Sequence, residues 1–438
     1  MLGNFKETAL SLRRDGLRVR RMVAACKRLL SERGEASGAS IAASTLEQYQ
    51  ALAADEQVAF FRALQREFSP DPKQVLKAAR DYEQSQDGRT LAALIQASEP
   101  PRQELLRRLN RAPGGTRGIV AMRARLLDAI QKDGELRQVD EDFHHLLSSW
   151  FNPGFLKVAR VDWNTPAALL EQLIHHEAVH EIRGWGDLRR RLEHDRRCFA
   201  FFHPALPDEP LIFVEVALVA EMPASIAPLI DSEAKADRGE DFKVAVFYSI
   251  SNCQPGLRGV SLGNFLIKQV VALLAAEFPK LKRYCTLSPV PGFRDWVKAT
   301  LARDLAEQIA AFPEALRASL GRIQDGFLPY LDKPADLRDA GKARLRYAPD
   351  LERLCAAYLM GLGEPDKTTR DSVARFHLHN GARLDRINSD GDNSDKGLRQ
   401  SLGLMVNYVY EPRAIEANHE RFMSGKAAAA RSVRSLAG

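Results

Sequence analysis

Phe242-Lys243-Val244-Ala245-Val246-Phe247-Tyr248-Ser249-Ile250, followed by Gln254-Pro255-Gly256-Leu257-Arg258-Gly259-Val260-Ser261-Leu262-Gly263, is the stretch that decides the fold. Its first half is a β-branched and aromatic run and predicts a strand. Its second half is a glycine-rich turn. From about Val260 to Ala276 an apolar face at helical spacing follows, made of Leu262, Phe265, Leu266, Val270, Leu273 and Leu274. A strand, a glycine-rich turn and a helix in that order belong to a sheet covered by helices. Backbone N–H groups at such a helix start, aided by the helix dipole, suit a phosphate. No Gly-Lys-Ser/Thr follows, which excludes a P-loop, and the spacing and late position exclude a dinucleotide-binding βαβ unit.

Outward from this stretch, Cys198–His203 and Leu211–Val219 read as further strands. The second alternates apolar and polar residues after the turn Pro207-Asp208-Glu209-Pro210. A helix is expected over Leu169–Ile182 and a short strand over Tyr284–Leu287. Mostly helix is expected from there through Met360, then a unit of helix and strands over Asp371–Tyr410. Residues 1–150 read differently. Helices fit Asp55–Phe68, Val75–Tyr82, Thr90–Ala97, Arg102–Leu109 and Ile119–Ile130, with Pro70, Pro72, Pro100-Pro101 and Pro113-Gly114-Gly115 between them. The expected architecture is an all-helical domain over 1–150, then an α/β or α+β domain with a mixed sheet over 151–438.

Composition limits the function classes. The 438 residues are 45% hydrophobic and 27% charged, an ordinary globular balance that excludes disordered and collagen-like chains. No apolar run approaches the ~18 residues of a membrane span, and arginines from Arg13 onward interrupt any secretory pattern. Within residues 1–40, nine Lys/Arg face four acids, so +5 of the net +6 lies there. Such a segment fits nucleic acid, a transit peptide or a solvated helix face. The interspersed acids, and the lack of aromatics alternating with the arginines, favour the solvated face over nucleic acid. Five widely spaced cysteines without a CxxC pair predict reduced thiols and a cytoplasmic setting.

Two motifs invite metal. His176-Glu177-Ala178-Val179-His180 has the HExxH spacing that on a helix holds Zn²⁺. Gly184-Trp185-Gly186 leaves that helix little room, however, and spacing singles out no third ligand. Asp390-Gly391-Asp392-Asn393-Ser394-Asp395 suggests a calcium loop. With Gly391 at the sixth position, Arg386 falls first and Gly397 twelfth, where carboxylates are needed, so a polar turn is expected instead.

Arg258-Gly259-Val260-Ser261-Leu262-Gly263, with Leu266-Ile267 in the helix behind it, resembles the acetyl-CoA pyrophosphate loop of the GNAT acyltransferase fold, with Ser261 at the position of the first glycine. Ala374-Arg375-Phe376-His377-Leu378-His379-Asn380-Gly381-Ala382 is similar to the late helix of that fold, with Gly381 placed as its terminating glycine. The wording narrows further. Phe247-Tyr248-Ser249-Ile250-Ser251, Leu287-Ser288-Pro289-Val290-Pro291-Gly292-Phe293, Glu177-Ala178-Val179-His180 with Trp185, Arg196-Arg197-Cys198, and Gly403-Leu404-Met405-Val406-Asn407-Tyr408 together resemble the malonyl-CoA decarboxylase family.

That resemblance spans the chain and implies a helical domain followed by a GNAT-like, acyl-CoA-binding one. It implies Ser288 and His377 as the catalytic pair, with histidine the proton donor and serine the acceptor. It implies substrate contacts from Arg258, Gly259, Val260, Ser261, Leu262, Gly263 and Asn264. No metal or organic cofactor is expected, since the thioester carbonyl is itself the electron sink. The expected partner is malonyl-CoA, with no nucleic acid and no membrane, in a homo-oligomer. An N-acyltransferase acting on an amine is the alternative enzyme, and a CoA-sensing or nucleic-acid-binding protein the non-enzymatic one.

Overall fold

The computed structural model describes residues 2–31, 35–236, 242–260, 262, 266–302, 312–337, 341–362 and 369–438. They form two compact units. The first gathers Met1–Leu156, His203–Glu209 and Gln254–Leu262; the second holds Lys157–Phe202, Pro210–Cys253 and Gly263–Gly438.

The first unit contains α1 (Leu2–Ser31), α2 (Glu35–Gln50), α3 (Ala54–Glu67), α4 (Pro72–Ser85), α5 (Gly88–Ser98), α6 (Pro101–Leu109), α7 (Gly115–Ile130) and α8 (Arg137–Trp150). Local chemistry sets several ends. Pro72 fills the first turn of α4, where no amide partner is needed, and the Asp71 carboxylate accepts from the Lys73 N–H at 3.0 Å. Asp87 caps α5 in the same manner through Thr90 N at 2.8 Å. Phe60 and Phe61 of α3 are fully buried and pack on Tyr49 of α2 at ring distances of 5.7 and 6.1 Å. Arg102 of α6 is buried with Asp142 of α8 as an ion pair. By contrast, α4 and α5 pair with each other and neither buries a residue.

The second unit is built on eight strands: β1 (Lys157–Val161), β2 (Arg196–Phe202), β3 (Ile212–Val219), β4 (Val244–Asn252), β5 (Arg283–Thr286), β6 (Ser288–Pro289), β7 (Arg383–Asn388) and β8 (Met405–Tyr410). β1 to β4 form an antiparallel series, β4 and β5 run parallel, and β8 pairs antiparallel with β5, β6 and β7. A helical first part followed by a mixed sheet with helices is the architecture the sequence predicts.

The parallel pair is short. Val244 to Phe247 pair with Arg283 to Thr286, and β4 then continues to Asn252 without β5 beside it. Beyond Leu287, whose amide still donates to Phe247 O at 3.2 Å, the chain turns to β8, where Ser288 sits opposite Val406. The two strands therefore part at Tyr248, and the opening lies between the end of β4 and Ser288.

Two predicted helices differ from those observed. The helix expected over Leu169–Ile182 spans Ala167–His176. The Glu177 carboxylate accepts from the amides of Val179 and His180 at 2.8 and 2.6 Å and from the Ser249 and Ser251 hydroxyls, which turns the chain out of the helix. HExxH is thus split between a helix end and a turn, and its two histidines do not share a helical face. Among the described residues no group of three or more His, Cys, Asp or Glu is placed to hold a metal. The helix expected from Val260 spans Leu266–Glu277. Gly259 has φ +82°, a left-handed bend, and Val260 and Leu262 are buried outside the helix.

Candidate active site

The Ser288 hydroxyl and His377 Nε2 lie 3.0 Å apart, although 89 positions separate them in the chain. Strand alternation points Thr286 and Ser288 to one side, and the Ser288 Oγ donates to Thr286 Oγ1 at 2.9 Å. Thr286 is fixed in turn. Its Oγ1 accepts from Tyr408 N at 3.3 Å, and its carbonyl accepts from Asn407 Nδ2 at 2.9 Å. Asn407 Oδ1 is itself held by Asn388 and Arg386.

His377 belongs to the helix Ser372–His379, whose start is capped by Asp371 accepting from Val373 N and Ala374 N. The helix ends as predicted on Gly381, at φ +79°. The amide of Ala382 returns to His377 O at 3.0 Å and that of Gly381 to Leu378 O at 3.0 Å, the paired bonds of a glycine-terminated helix. A side chain at this glycine would place its Cβ 2.2 Å from Ile415 O. The imidazole stacks on Tyr408 with centroids 4.7 Å apart and planes inclined at 28°. Its Nδ1 lies 2.9 Å from the Tyr410 hydroxyl. Burial pushes His377 down to about 3 from an ordinary 6.5, so the ring is neutral at physiological pH.

A cavity of about 320 Å³ opens onto this pair. Tyr248 and Ile250 of β4 form one wall, Val179 and Phe376 others, with Ser288 and His377 exposed to it. Glu177 and Lys396 hold the Val179 segment in place, the first through the amides and serines named above, the second through the carbonyls of Ala178 and Val179. A larger groove of about 610 Å³ runs between α1 and α3, but its apolar and charged lining brings together no nucleophile with a base. The cavity at Ser288, which brings a hydroxyl and an imidazole together, is the candidate site.

Of the loop predicted to hold substrate, Arg258 to Leu262 fall in the first unit. Gly256 sits against α7, and Arg123 Nη1 donates to the carbonyls of Gly256 and Arg258, each at 2.8 Å, while its Nε donates to Asp140 at 2.7 Å. His144 Nε2 meets Gly259 O at 3.1 Å. The amides of Leu257, Arg258 and Val260 already donate to Gln254 O, Pro255 O and Leu257 O, so those three N–H groups do not form the phosphate cradle the sequence suggests. Arg258 and Gly259 are exposed and Val260 and Leu262 buried, while Ser261, Gly263 and Asn264 lie outside the described residues.

Sequence reasoning missed Thr286, Tyr408, Tyr410 and Arg123. Thr286 carried a signal, standing two residues before Ser288 on one strand, and Tyr408 lay in the Gly403-to-Tyr408 segment of the family resemblance. The contacts of both tyrosines and of Arg123 span separations that spacing does not reveal.

Two family models match the chain. One is described as malonyl-CoA decarboxylase N-terminal domain, over residues 68–151, and the other as malonyl-CoA decarboxylase C-terminal domain, over residues 154–437. Mitochondrial malonyl-CoA decarboxylase of Anser anser anser is 35% identical over 384 residues, covering 83% of this chain and 76% of that one. The protein of the same description from Mus musculus is 34% identical over 361 residues, covering 78% and 73%. Among solved structures, malonyl-CoA decarboxylase from Rhodopseudomonas palustris superposes with a TM-score of 0.86 at 46% identity, covering 95% of this chain and 99% of that one. The one from Agrobacterium vitis gives 0.84 at 46% identity, covering 95% and 100%. With models covering both parts of the chain and relatives matching most of their own length, the chain belongs to the malonyl-CoA decarboxylase family.

Proposed function

We propose that the chain converts malonyl-CoA to acetyl-CoA and CO₂, with Ser288 and His377 as the catalytic pair. The observation that carries the assignment is their 3.0 Å contact at the wall of the cavity opened by the parting of β4 from β5. Breaking the bond between C2 and the carboxylate releases CO₂ and leaves its electron pair in the thioester as an enolate. One proton from water then completes acetyl-CoA. Hydrogen-bond donors aimed at that enolate lower the barrier because its charge develops only in the transition state. Ser288 and a neutral His377 supply such donors without adding a charge, and the pair passes the incoming proton to carbon.

Residues Arg258 to Asn264 are proposed to hold the CoA portion. Binding energy gathered there, far from the reacting carbons, orients the malonyl group. Arg258, exposed beside Gly259, is suited to a phosphate. An amine acyltransferase would leave the Ser288–His377 pair without a joint task.

The five cysteines are free and buried, which supports a reducing compartment such as the cytoplasm; the curated relatives are described as mitochondrial. No described helix is long and apolar enough to cross a membrane. A homo-oligomer is supported by the α4–α5 hairpin, which leaves Leu76, Leu91 and Ile95 39–61% exposed. Lys73 and Lys77 lie toward the start of α4, and Asp81 and Glu83 toward its end. A second copy related by a two-fold axis would set unlike charges opposite each other.

The test is to incubate chelator-treated protein with malonyl-CoA and follow acetyl-CoA by mass. Conversion that survives chelation is expected. A folded protein that binds CoA yet makes no acetyl-CoA, and instead acylates a member of an amine panel, would overturn the assignment.

A further inference from the structure

We infer that Tyr410 is a positioning residue for this reaction: its phenol fixes which nitrogen of His377 carries the proton, so that the Ser288–His377 pair presents hydrogen-bond donors rather than a base facing a nucleophile. The inference rests on the assignment of Ser288 and His377 above. Tyr410 is 2% exposed, and its hydroxyl has one partner among the described hydrogen bonds, His377 Nδ1 at 2.9 Å. That contact has two possible polarities. If Nδ1 carried the proton, the phenol would accept, and its own hydrogen would sit in a dry interior without an acceptor, an arrangement folded proteins avoid. If the phenol donates, its hydrogen has an acceptor in Nδ1, and the Ser288 hydroxyl, which donates to Thr286 Oγ1, is left to accept from Nε2–H.

Nδ1 then accepts, Nε2–H donates to Ser288 Oγ at 3.0 Å, and Ser288 Oγ–H donates to Thr286 Oγ1 at 2.9 Å. The chain of bonds runs in a single direction from Tyr410 to Thr286. The phenol is held for this task by its place on β8, where Tyr410 pairs with Tyr284 of β5, and by an edge contact with Phe247 at 6.4 Å. Burial also keeps Tyr410 protonated, well above the usual phenol range, and keeps His377 neutral, so the imidazole has one proton to place and its position matters.

The consequence separates this pair from the serine–histidine arrangement of acyl transfer. There the imidazole aims a lone pair at the hydroxyl and removes its proton. Here no lone pair of His377 faces Ser288, so the hydroxyl stays protonated and free to turn from Thr286 toward substrate as a donor. Decarboxylation needs donors for an enolate and no acyl-serine, which is the task this polarity suits.

The test begins on the wild-type protein with ¹⁵N-labelled histidine. A long-range ¹H–¹⁵N spectrum, with the His377 signals identified from their loss in His377→Asn, reads the tautomer directly. A proton on Nε2 is expected, and a proton on Nδ1 overturns the proposal whatever any variant does. In parallel, Tyr410→Phe is expected to lower kcat by about 10- to 100-fold with KM for malonyl-CoA within about twofold, because orientation of the pair is lost and substrate contacts are kept. An unchanged kcat in folded Tyr410→Phe also overturns it. Failure of the underlying site assignment is distinguishable, since then His377→Asn itself would turn over at the wild-type rate.

Discussion

Gly256→Ala tests whether the loop proposed to hold substrate is fixed by α7. A Cβ at this position would stand 1.9 Å from Val120 O and 2.7 Å from Val120 C, both backbone atoms of α7 that cannot swing aside. Ordinary contact begins at 3.4 Å, so loop and helix must separate by 3.4 − 1.9 = 1.5 Å. Arg123 cannot follow, being 2% exposed and tied to Asp140. Its two bonds to Gly256 O and Arg258 O would stretch from 2.8 Å to roughly 4.3 Å, beyond hydrogen-bonding range. Hydrogen bonds to a charged group contribute ~1.5–3 kcal/mol each, so the substitution is expected to cost ~3–6 kcal/mol, a large part of a ~5–15 kcal/mol total. The assays are a urea unfolding midpoint and steady-state kinetics. A lowered midpoint is expected, with KM for malonyl-CoA raised about tenfold or more and kcat within a few-fold, since Ser288 and His377 belong to the other unit. A wild-type midpoint and KM would refute the reasoning, as would a collapse of kcat at constant KM.

Ser288→Ala and His377→Asn are each expected to lower kcat by about 10²–10⁴ with the fold retained by circular dichroism, and near-wild-type turnover in both would remove them from the mechanism. Acid should destabilise the protein through its buried histidines: burial takes His377 to about 3 and His180 to about 4, against 6.5 in the unfolded chain. The unfolded state therefore binds the extra protons below about 6.5, and stability present above that pH is lost as pH falls, by up to about 1.4 kcal/mol per unit per histidine. Glu215, pushed up to about 7 by burial, acts in the opposite sense between about 7 and 4.5. The readout is thus a comparison of urea midpoints at pH 7.5 and 5.5, where His377→Asn should lose less than wild type; equal losses would contradict the account. Replacing Leu76 and Ile95 together with Glu should reduce the mass measured by light scattering while sparing kcat, and an unchanged mass would move the proposed oligomer contact elsewhere.

Much of the fold was legible because helices and strands leave periodic traces. The apolar spacing over Asp55–Phe68 locates α3 to within a residue or so, and the β-branched run at Phe242 locates β4. Alternation misled in one respect: Glu215 stands at a polar position of β3, yet it is 1% exposed and paired with Arg191 at 2.8 Å. The sheet is covered on both faces there, and pattern alone cannot distinguish a solvated carboxylate from a buried ion pair. The overlong helix at Leu169–Ile182 failed for a similar reason, since the Glu177 carboxylate that turns the chain is held by Ser249 and Ser251 more than 70 positions away as well as by the nearby amides. Ser288 and His377 were named through motif resemblance, whereas their 3.0 Å contact and the supports Thr286, Tyr408 and Tyr410 exist only once β8 lies beside β5 and β6.

The end of β4 divides two kinds of labour between alternate residues. Tyr248 and Ile250 line the cavity, while Ser249 and Ser251 anchor Glu177, and through it the neighbouring wall. Changes on the first set recontour the chamber and leave its framework standing; changes on the second loosen a wall without altering a side chain that lines the cavity. The contour of the chamber can therefore be varied at Tyr248 and Ile250 of this strand, while Ser249 and Ser251 keep the Val179 wall standing.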